Sequence, residues 1–201
     1  GKDVPNPVEG MLHVFRMASS GLEREGRSAA AGIPCNTFHA PAIFTPFSEK
    51  LRDEELPIRL VHMLEETAEY IRSRLPEVKK VGLLSTTGTR KSCVYEALFE
   101  NYDIELIKVP QDRQDSLHEA IYHRRWGLKA VSPASEKARE RIESLATKLV
   151  DRGAEAIILG CTELPLALSE GSYHGIPSVD PMTALARALV REAAPEKVRP
   201  L

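Results

Sequence analysis

Short apolar segments alternate with longer amphipathic segments along most of this chain, and this alternation limits the possible fold more than any other feature. The run 28–33 is almost uninterrupted in its apolar character, which is typical of a strand covered on both faces. Segments such as 181–193 instead place apolar residues three or four positions apart, as on one face of a helix. The sequence therefore predicts an α/β fold with parallel sheets flanked by helices.

The predicted strands are 28–33, 58–61, 78–84, 104–109, 154–159 and 176–179. The predicted helices are 7–25, 37–44, 63–74, 91–102, 111–125, 132–152, 162–168 and 181–193. The helix at 37–44 is weakened by Pro41, because proline lacks the backbone N–H that a helix interior needs.

Composition excludes several classes of partner. The net charge of −2 over 201 residues argues against binding to nucleic acid or to an anionic membrane, since both attract basic surfaces. No apolar run approaches the roughly 20 residues that a membrane-spanning helix needs. Three cysteines are too few for a disulfide framework. We therefore expect a cytoplasmic protein with no nucleic-acid or membrane partner.

A short internal echo surrounds two of the cysteines. In each copy a helix is predicted to end at glycine, an apolar strand follows, and a cysteine stands at the carboxyl end of that strand. The glycine and cysteine are Gly26 and Cys35 in the first copy, and Gly153 and Cys161 in the second. Ligands of open α/β sheets bind at the carboxyl ends of strands. The echo predicts that the two sulfurs face one another across a shared cleft.

Two opposed thiol groups suit the inversion of a carbon that carries an acidic proton. One sulfur removes the proton from one face while the other delivers a proton to the opposite face. A helix predicted to open after each cysteine would stabilise a thiolate and lower its pKa. Acid–base transfer supplies only about 10²–10⁴-fold of rate, so electrostatic stabilisation of the carbanion must add to it. The Ser/Thr/Gly turn at 85–89 and the cation of Lys129 are candidates for that stabilisation.

Other interpretations of these residues remain open at this point. Cys93 lies on a predicted helix and is interpreted as a small buried apolar residue. A metal site built from Cys35, His39, Cys161 and Glu163 has suitable ligand types but no compact spacing, so no metal is predicted. The 85–89 turn is also compatible with an ordinary turn, and Lys129 with a solvated surface lysine.

Five segments together resemble the aspartate/glutamate racemase family. Residues 34–39 and 159–165 are similar to its two cysteine signatures, and 83–89, 121–130 and 179–182 are similar to further family segments in the same order. The resemblance runs from near residue 1 to near residue 195. Either cysteine signature alone is a moderate indication, whereas the pair is a strong one.

The resemblance implies a fold and a reaction. It implies two pseudo-twofold-related lobes with the active site between them, the first lobe being 1–76 plus 177–201 and the second 77–176. It also implies proton transfer without pyridoxal phosphate, metal or any other cofactor, a small dicarboxylic amino acid as substrate, and a homodimer. Cys35 and Cys161 match the catalytic bases. The residues that match substrate contacts are Asn36, Thr37, Thr87, Thr89, Lys129, Thr162 and Glu163.

The resemblance also separates substrate types, because glutamate racemases of the family have histidine after the second Cys-Thr and aspartate-type members have glutamate. Glu163 matches the aspartate type, so racemisation of aspartate is expected first and of glutamate second. Family members usually open with a strand, a Gly-Gly turn and a helix before the region where this sequence begins, so an absent N-terminal strand–helix portion and an incomplete first lobe are expected. The alternatives are a hydantoin racemase, maleate isomerase or arylmalonate decarboxylase type of enzyme, or an inactive carboxylate-binding remnant.

Overall fold

The computed structural model describes residues 6–168 and 171–199. Its strands are β1 (Ala29–Gly32), β2 (Ile58–Val61), β3 (Lys80–Ser85), β4 (Glu105–Lys108), β5 (Ala156–Gly160), β6 (Gly171–Tyr173) and β7 (Ile176–Val179). Its helices are α1 (Val8–Arg24), α2 (Pro41–Asp53), α3 (Met63–Arg74), α4 (Thr87–Lys91), α5 (Val94–Phe99), α6 (Gln114–Tyr122), α7 (Glu136–Asp151) and α8 (Pro181–Ala193). Single 3-10 turns lie at Asn36–His39, Gln111–Arg113, Leu164–Leu166 and Pro195–Lys197.

The strands form two sheets. β1 and β2 pair in parallel, and the second sheet has the order β4-β3-β5-β7-β6. All pairs of the second sheet are parallel except β6 with β7. The predicted α/β architecture of parallel sheets flanked by helices is thus confirmed. The pseudo-twofold relation between lobes stays a prediction.

Three apolar clusters hold these layers together. Phe15 of α1 packs edge-on against Phe47 of α2, with ring centroids 5.4 Å apart, beside the small sheet. A second cluster is shared by both sheets, since it joins Val61 of β2 to Leu83 of β3. The third lies between the large sheet and α6 and α7. Each fully buried apolar side chain contributes about 1.5–3 kcal/mol to folding, so the shared cluster fixes the two sheets relative to one another.

The end of the chain connects the two sheets in a way that bears on the lobe division. The predicted boundary at residue 177 falls within β7, and β7 pairs with β5 of the large sheet. The following helix, α8, packs instead against α3 and β1. The strand therefore belongs to the second sheet and the helix to the first, and we propose that the lobe boundary lies between them.

Several local predictions were wrong for identifiable reasons. The predicted helix at 37–44 is a 3-10 turn followed by α2, because Pro41 opens a helix at its first position instead of interrupting one. The predicted helix at 91–102 is divided: α4 begins at Thr87, and α5 follows a break at Cys93, whose φ is +51°. The interpretation of Cys93 as a buried residue was also wrong, because its side chain is exposed at this break. The segment at 162–168 forms only one 3-10 turn. β6 was missed because it has three residues and exposes two of them.

In the part of the chain that the structure describes, every helix is too short or too polar to cross a lipid bilayer.

Candidate active site

Cys35 lies just beyond the carboxyl end of β1, in extended backbone with φ −147°, and precedes the 3-10 turn. The N–H of Cys35 donates to the carbonyl oxygen of Ile33 at 2.8 Å, and the carbonyl oxygen of Cys35 lies 2.9 Å from the ring Nδ1 of His39. These contacts hold the backbone of the turn on both sides of the cysteine, whose side chain is exposed.

Cys161 follows β5 directly, after five buried strand residues. Gly160 is required there, because a Cβ at this position would lie 2.8 Å from the carbonyl oxygen of Leu84 on β3. The close approach of the two strands sets Cys161 beside the carboxyl end of β3. In contrast with Cys35, Cys161 is only 7% exposed.

Both cysteines border one small cavity of about 70 Å³. The residues that line it are Pro34, Cys35, Asn36, Thr37, Thr86, Thr89, Tyr122, Lys129, Gly160, Cys161 and Thr162. They lie at or after the carboxyl ends of β1, β3 and β5 or come from the end of α6 and the turn after it, so the cavity lies where the sheet topology brings these segments together. A larger cavity of about 600 Å³ between α3 and the α5–β4 turn contains neither sulfur.

Two of the residues that the resemblance matches to substrate contacts, Glu163 and Thr87, are not among the residues that line the cavity. Glu163 lies behind Cys161 and contacts it directly. The hydroxyl of Thr87 is buried and has no hydrogen-bond partner among the described residues, and Thr87 does not line the cavity.

Three threonine hydroxyls connect the first cysteine turn to α4. Thr86 caps α4, its hydroxyl accepting from the N–H of Thr89 at 3.3 Å. The hydroxyl of Thr89 lies 2.8 Å from that of Thr37 and 3.2 Å from that of Thr86. The hydrogen of each hydroxyl can rotate about the C–O bond, so these side chains can donate either to one another or to an anion in the cavity.

The carboxylate of Glu163 gathers three of the candidate residues. Its Oε2 accepts from the thiol of Cys161 and from the hydroxyl of Thr162, both at 3.0 Å. Its Oε1 accepts from Nζ of Lys129 at 2.5 Å. Glu163 therefore orients the second cysteine and the cation at the same time.

The environment of Cys161 favours its protonated form. Burial and, after it, the hydrogen bond to the Glu163 carboxylate raise the pKa of this thiol to about 12, although the charge of Lys129 opposes the shift. The expectation that a helix dipole lowers this pKa was wrong, because the residues after Cys161 form one 3-10 turn and the thiol is desolvated.

The two charges beside Cys161 stay ionised at neutral pH. Burial raises the pKa of Glu163, but hydrogen bonds from Cys161, Lys129 and Thr162 outweigh it, and the net shift is downward. Burial lowers the pKa of Lys129, but its hydrogen bond to Glu163 outweighs this and the net shift is upward. The site thus combines a neutral thiol with an ion pair.

Lys129 is held by a tight return of the chain after α6. Its N–H donates to the carbonyl oxygen of Ile121 at 3.0 Å. Gly127 permits the return, because a Cβ there would lie 2.5 Å from the backbone nitrogen of His123. The Lys129 ammonium lies 5.4 Å from the ring centroid of Tyr122, so both side chains cover the same side of the cavity.

Sequence reasoning missed several residues of the site. Tyr122 lies inside a segment that resembled the family, and Thr86 lies inside the recognised turn, so motif position could have identified both. Tyr95 gave no such signal: it is fully buried on α5, and its hydroxyl donates to Oδ1 of Asn36 at 2.5 Å. A tyrosine on an apolar helix face is otherwise interpreted as core.

The geometry does not suit the metal site that was considered. No group of three potential ligands among histidine, cysteine, aspartate and glutamate is arranged for a metal ion within residues 6–168 and 171–199. The ring of His39 stacks on Phe44 at 5.1 Å, away from the cavity lining. Burial lowers the pKa of His39 to about 4, with a further contribution from His62, so the ring is neutral.

Racemases are among the known proteins that this chain resembles in sequence and structure. A glutamate racemase of Pseudomonas paraeruginosa is 29% identical over 175 residues, which are 85% of this chain and 59% of that protein. The chain thus spans about three fifths of the length of this relative. An aspartate racemase of Picrophilus torridus superposes with a TM-score of 0.73 at 29% identity, over 95% of this chain and 71% of that one.

An aspartate racemase homologue from Pyrococcus horikoshii superposes with a TM-score of 0.66 at 26% identity, over 92% of this chain and 76% of that one. Residues 2–189 match the profile of the Asp/Glu/Hydantoin racemase family. This match covers most of the sequence and includes both cysteine turns. The chain belongs to the Asp/Glu/Hydantoin racemase family.

Proposed function

We propose that this chain racemises an acidic amino acid, aspartate in preference to glutamate, with Cys35 and Cys161 acting on opposite faces of the α-carbon. The observation that carries the proposal is that two cysteines 126 positions apart in the sequence border one small cavity. Membership of a racemase family and the likeness to the structures of an aspartate racemase and of an aspartate racemase homologue support it. The homodimer and the cytoplasmic location stay predictions from the sequence.

In the first half of the reaction, the exposed sulfur of Cys35, in its thiolate form, takes the α-proton and becomes a thiol. The thiol of Cys161 then gives its proton to the opposite face of the carbon. This assignment is supported by the raised pKa of Cys161, which keeps a proton on that sulfur at neutral pH. The electron pair left by the departing proton forms the new C–H bond with the proton from Cys161, and the new thiolate lies next to Glu163.

The developing thiolate at Cys161 is stabilised by the Lys129 ammonium, which opposes the effect of the Glu163 carboxylate. Lys129 already lowers the pKa of Cys161 through its charge, and the Thr162 hydroxyl lies in the same hydrogen-bonded group around Glu163. A substrate of opposite configuration enters when Cys161 is the thiolate and Cys35 the thiol. The two sulfurs then exchange roles, and protons return to the resting arrangement through solvent.

The carbanion-like state is stabilised by donors on the cavity wall. The Asn36 amide and the hydroxyls of Thr37 and Thr89 line the cavity and are proposed to hold the α-carboxylate, and Lys129 the side-chain carboxylate. Such donors act most strongly when a bound substrate displaces water from the cavity. No cofactor is required in this proposal, since the donors and the two sulfurs supply every proton and charge in the exchange.

Substrate entry is proposed to rearrange the charged wall of the cavity. The Lys129–Glu163 ion pair is the element suited to open, because a substrate carboxylate replaces Glu163 as the partner of the ammonium.

The test is exchange of the α-hydrogen in deuterated water, followed by mass and by chiral chromatography. We expect deuterium at the α-carbon of L- and D-aspartate with inversion, slower exchange of glutamate, and little exchange of alanine. Binding of dicarboxylates without any exchange contradicts the proposal and supports the alternative of an inactive carboxylate-binding protein. Exchange or decarboxylation of other carboxylic acids with none of aspartate supports one of the related enzyme types.

A further inference from the structure

The buried hydroxyl of Tyr95 reaches across the fold to the first cysteine turn. Tyr95 lies on α5, 59 positions after Asn36, and donates to Oδ1 of Asn36 at 2.5 Å. Asn36 is 4% exposed and follows Cys35 directly. The bond thus connects the residue next to the first sulfur with the segment that follows β3.

The position of Tyr95 depends on the break between α4 and α5. Cys93 adopts φ +51° and ψ +26°, a left-handed conformation that is unfavourable for a residue other than glycine. The break redirects the chain so that Val94 and Tyr95 face the core and α5 packs against α3. A continuous helix through residues 91–102 would not direct Tyr95 in the same way, so the strain at Cys93 has a structural purpose.

The chemistry of the bond decides what Asn36 offers to the cavity. Burial raises the pKa of Tyr95 far above its usual range, and the charges of Asp180 and Cys161 act in the same direction, so the phenol keeps its proton. The protonated phenol of Tyr95 donates to Oδ1, the oxygen of the Asn36 amide, so this oxygen faces Tyr95. The remaining group, Nδ2, carries two hydrogens and can only donate.

We propose that Tyr95 is a positioning residue, which fixes the Asn36 amide so that its NH₂ group donates to the carboxylate of a ligand beside Cys35. The proposal deepens the proposed function, because it assigns the fixed donor for the carboxylate at the racemase site. Without the Tyr95 hydroxyl, the Asn36 amide is free to rotate and to present its oxygen, which repels an anion, in place of its NH₂ group.

The first test is a double-mutant cycle on aspartate racemisation with Tyr95→Phe, Asn36→Ala and the double variant. We expect kcat/KM to fall about tenfold in Tyr95→Phe, as for loss of one buried hydrogen bond, and about 100-fold in Asn36→Ala. The double variant should match Asn36→Ala within about twofold, because Tyr95 acts through Asn36. Equal losses from Tyr95→Phe in both backgrounds would overturn the proposal.

The matched control is Tyr102→Phe. Its hydroxyl donates to Glu69 at 3.2 Å, and neither residue lines the cavity with the cysteines. This variant also loses a tyrosine hydroxyl with a side-chain partner, and it should leave kcat/KM unchanged. A loss equal to that of Tyr95→Phe would mean that hydroxyl removal acts through general stability, which contradicts the proposal.

A second test does not depend on catalysis. The rate of alkylation of Cys35 is measured by peptide mass spectrometry with iodoacetate, which carries a carboxylate, and with iodoacetamide, which is neutral. The iodoacetate-to-iodoacetamide rate ratio should fall about threefold or more in Tyr95→Phe and Asn36→Ala, and no further in the double variant. An unchanged ratio in Tyr95→Phe overturns the proposal, whereas absent racemisation in the parent protein overturns only the proposed function.

If Tyr95→Phe does not fold, as judged by circular dichroism, Asn36→Asp decides. Aspartate keeps the acceptor for the Tyr95 hydroxyl but replaces the NH₂ donor by oxygen. The iodoacetate-to-iodoacetamide rate ratio at Cys35 should then fall, as in Asn36→Ala. An unchanged ratio would show that the donor to the carboxylate is another residue.

Discussion

The two cysteine turns share a sequence pattern but provide opposite surroundings for sulfur. Cys35 is exposed, and the 3-10 turn that follows it has no acidic residue in its first turn. Cys161 is buried and donates to the carboxylate of Glu163, which is itself paired with Lys129. A reaction that is symmetric in its substrate is therefore proposed to start from an asymmetric resting state.

This difference shows why the local echo is informative about position but not about protonation. The echo depends on a helix, a strand and a turn, which the backbone pattern records. The pKa of a thiol depends on burial and on charges from elsewhere in the chain, such as Lys129, which is 32 positions before Cys161. Similar motifs can thus hold one sulfur ready as an acid and leave the other open to solvent.

The largest expected effect comes from removing either sulfur. We expect Cys35→Ala and Cys161→Ala each to reduce racemisation by at least about 10³-fold, because neither alanine can exchange a proton. Cys93→Ala, which removes an exposed thiol outside the cavity, is the control and should retain parental turnover. Chiral chromatography measures all three, and near-parental turnover in either of the first two variants would remove the two-base assignment.

The asymmetry between the sulfurs is tested by replacing Glu163. The carboxylate raises the pKa of Cys161, so Glu163→Gln should lower that pKa from about 12 and leave Lys129 free to stabilise the thiolate. Alkylation of Cys161 should therefore speed up at pH 8–9 in Glu163→Gln, while racemisation falls about 10- to 100-fold. Cys35 alkylation is the internal reference. An unchanged pH profile at Cys161 would show that burial alone sets its pKa.

A smaller effect is expected from Lys129→Ala, because this side chain is proposed to hold the distal carboxylate. The KM for aspartate should rise about tenfold or more, as for loss of a charge-assisted hydrogen bond, whereas slow exchange of alanine should change little. Lys137→Ala, whose ammonium covers Trp126 instead of the cavity, is the matched control. Equal losses for aspartate and alanine would contradict the assigned role of Lys129.

The smallest expected effect concerns stability at the second turn. Gly160→Ala should lower the free energy of unfolding by about 1–3 kcal/mol, because the new Cβ would press on the Leu84 carbonyl. Gly10→Ala on α1 meets open space and should stabilise by up to about 1 kcal/mol. Urea denaturation measures both. A neutral Gly160→Ala would mean that β3 and β5 separate easily.

The sequence alone predicted the features that follow from local pattern. β2, α3, β7 and α8 lie where the apolar spacing indicated, and each of the two cysteines follows a strand as expected. The strand before Cys161 is buried, whereas β1 is only partly buried, so the expectation that it is covered on both faces was wrong. It did not predict the break at Cys93, since a left-handed cysteine leaves no mark in a helical pattern. It also missed the Tyr95–Asn36 bond and the raised pKa of Cys161, because both arise from contacts between distant segments.

The most direct measurement is the isotopic content of aspartate during the first few per cent of racemisation in deuterated water. Two opposed sulfurs predict that the product enantiomer carries solvent deuterium at its α-carbon almost completely, while recovered substrate of the original configuration carries little. If the product retains its original hydrogen, or if substrate and product gain deuterium at equal rates, a single base serves both faces. That result would contradict the assignment of Cys35 and Cys161 to opposite sides of one carbon.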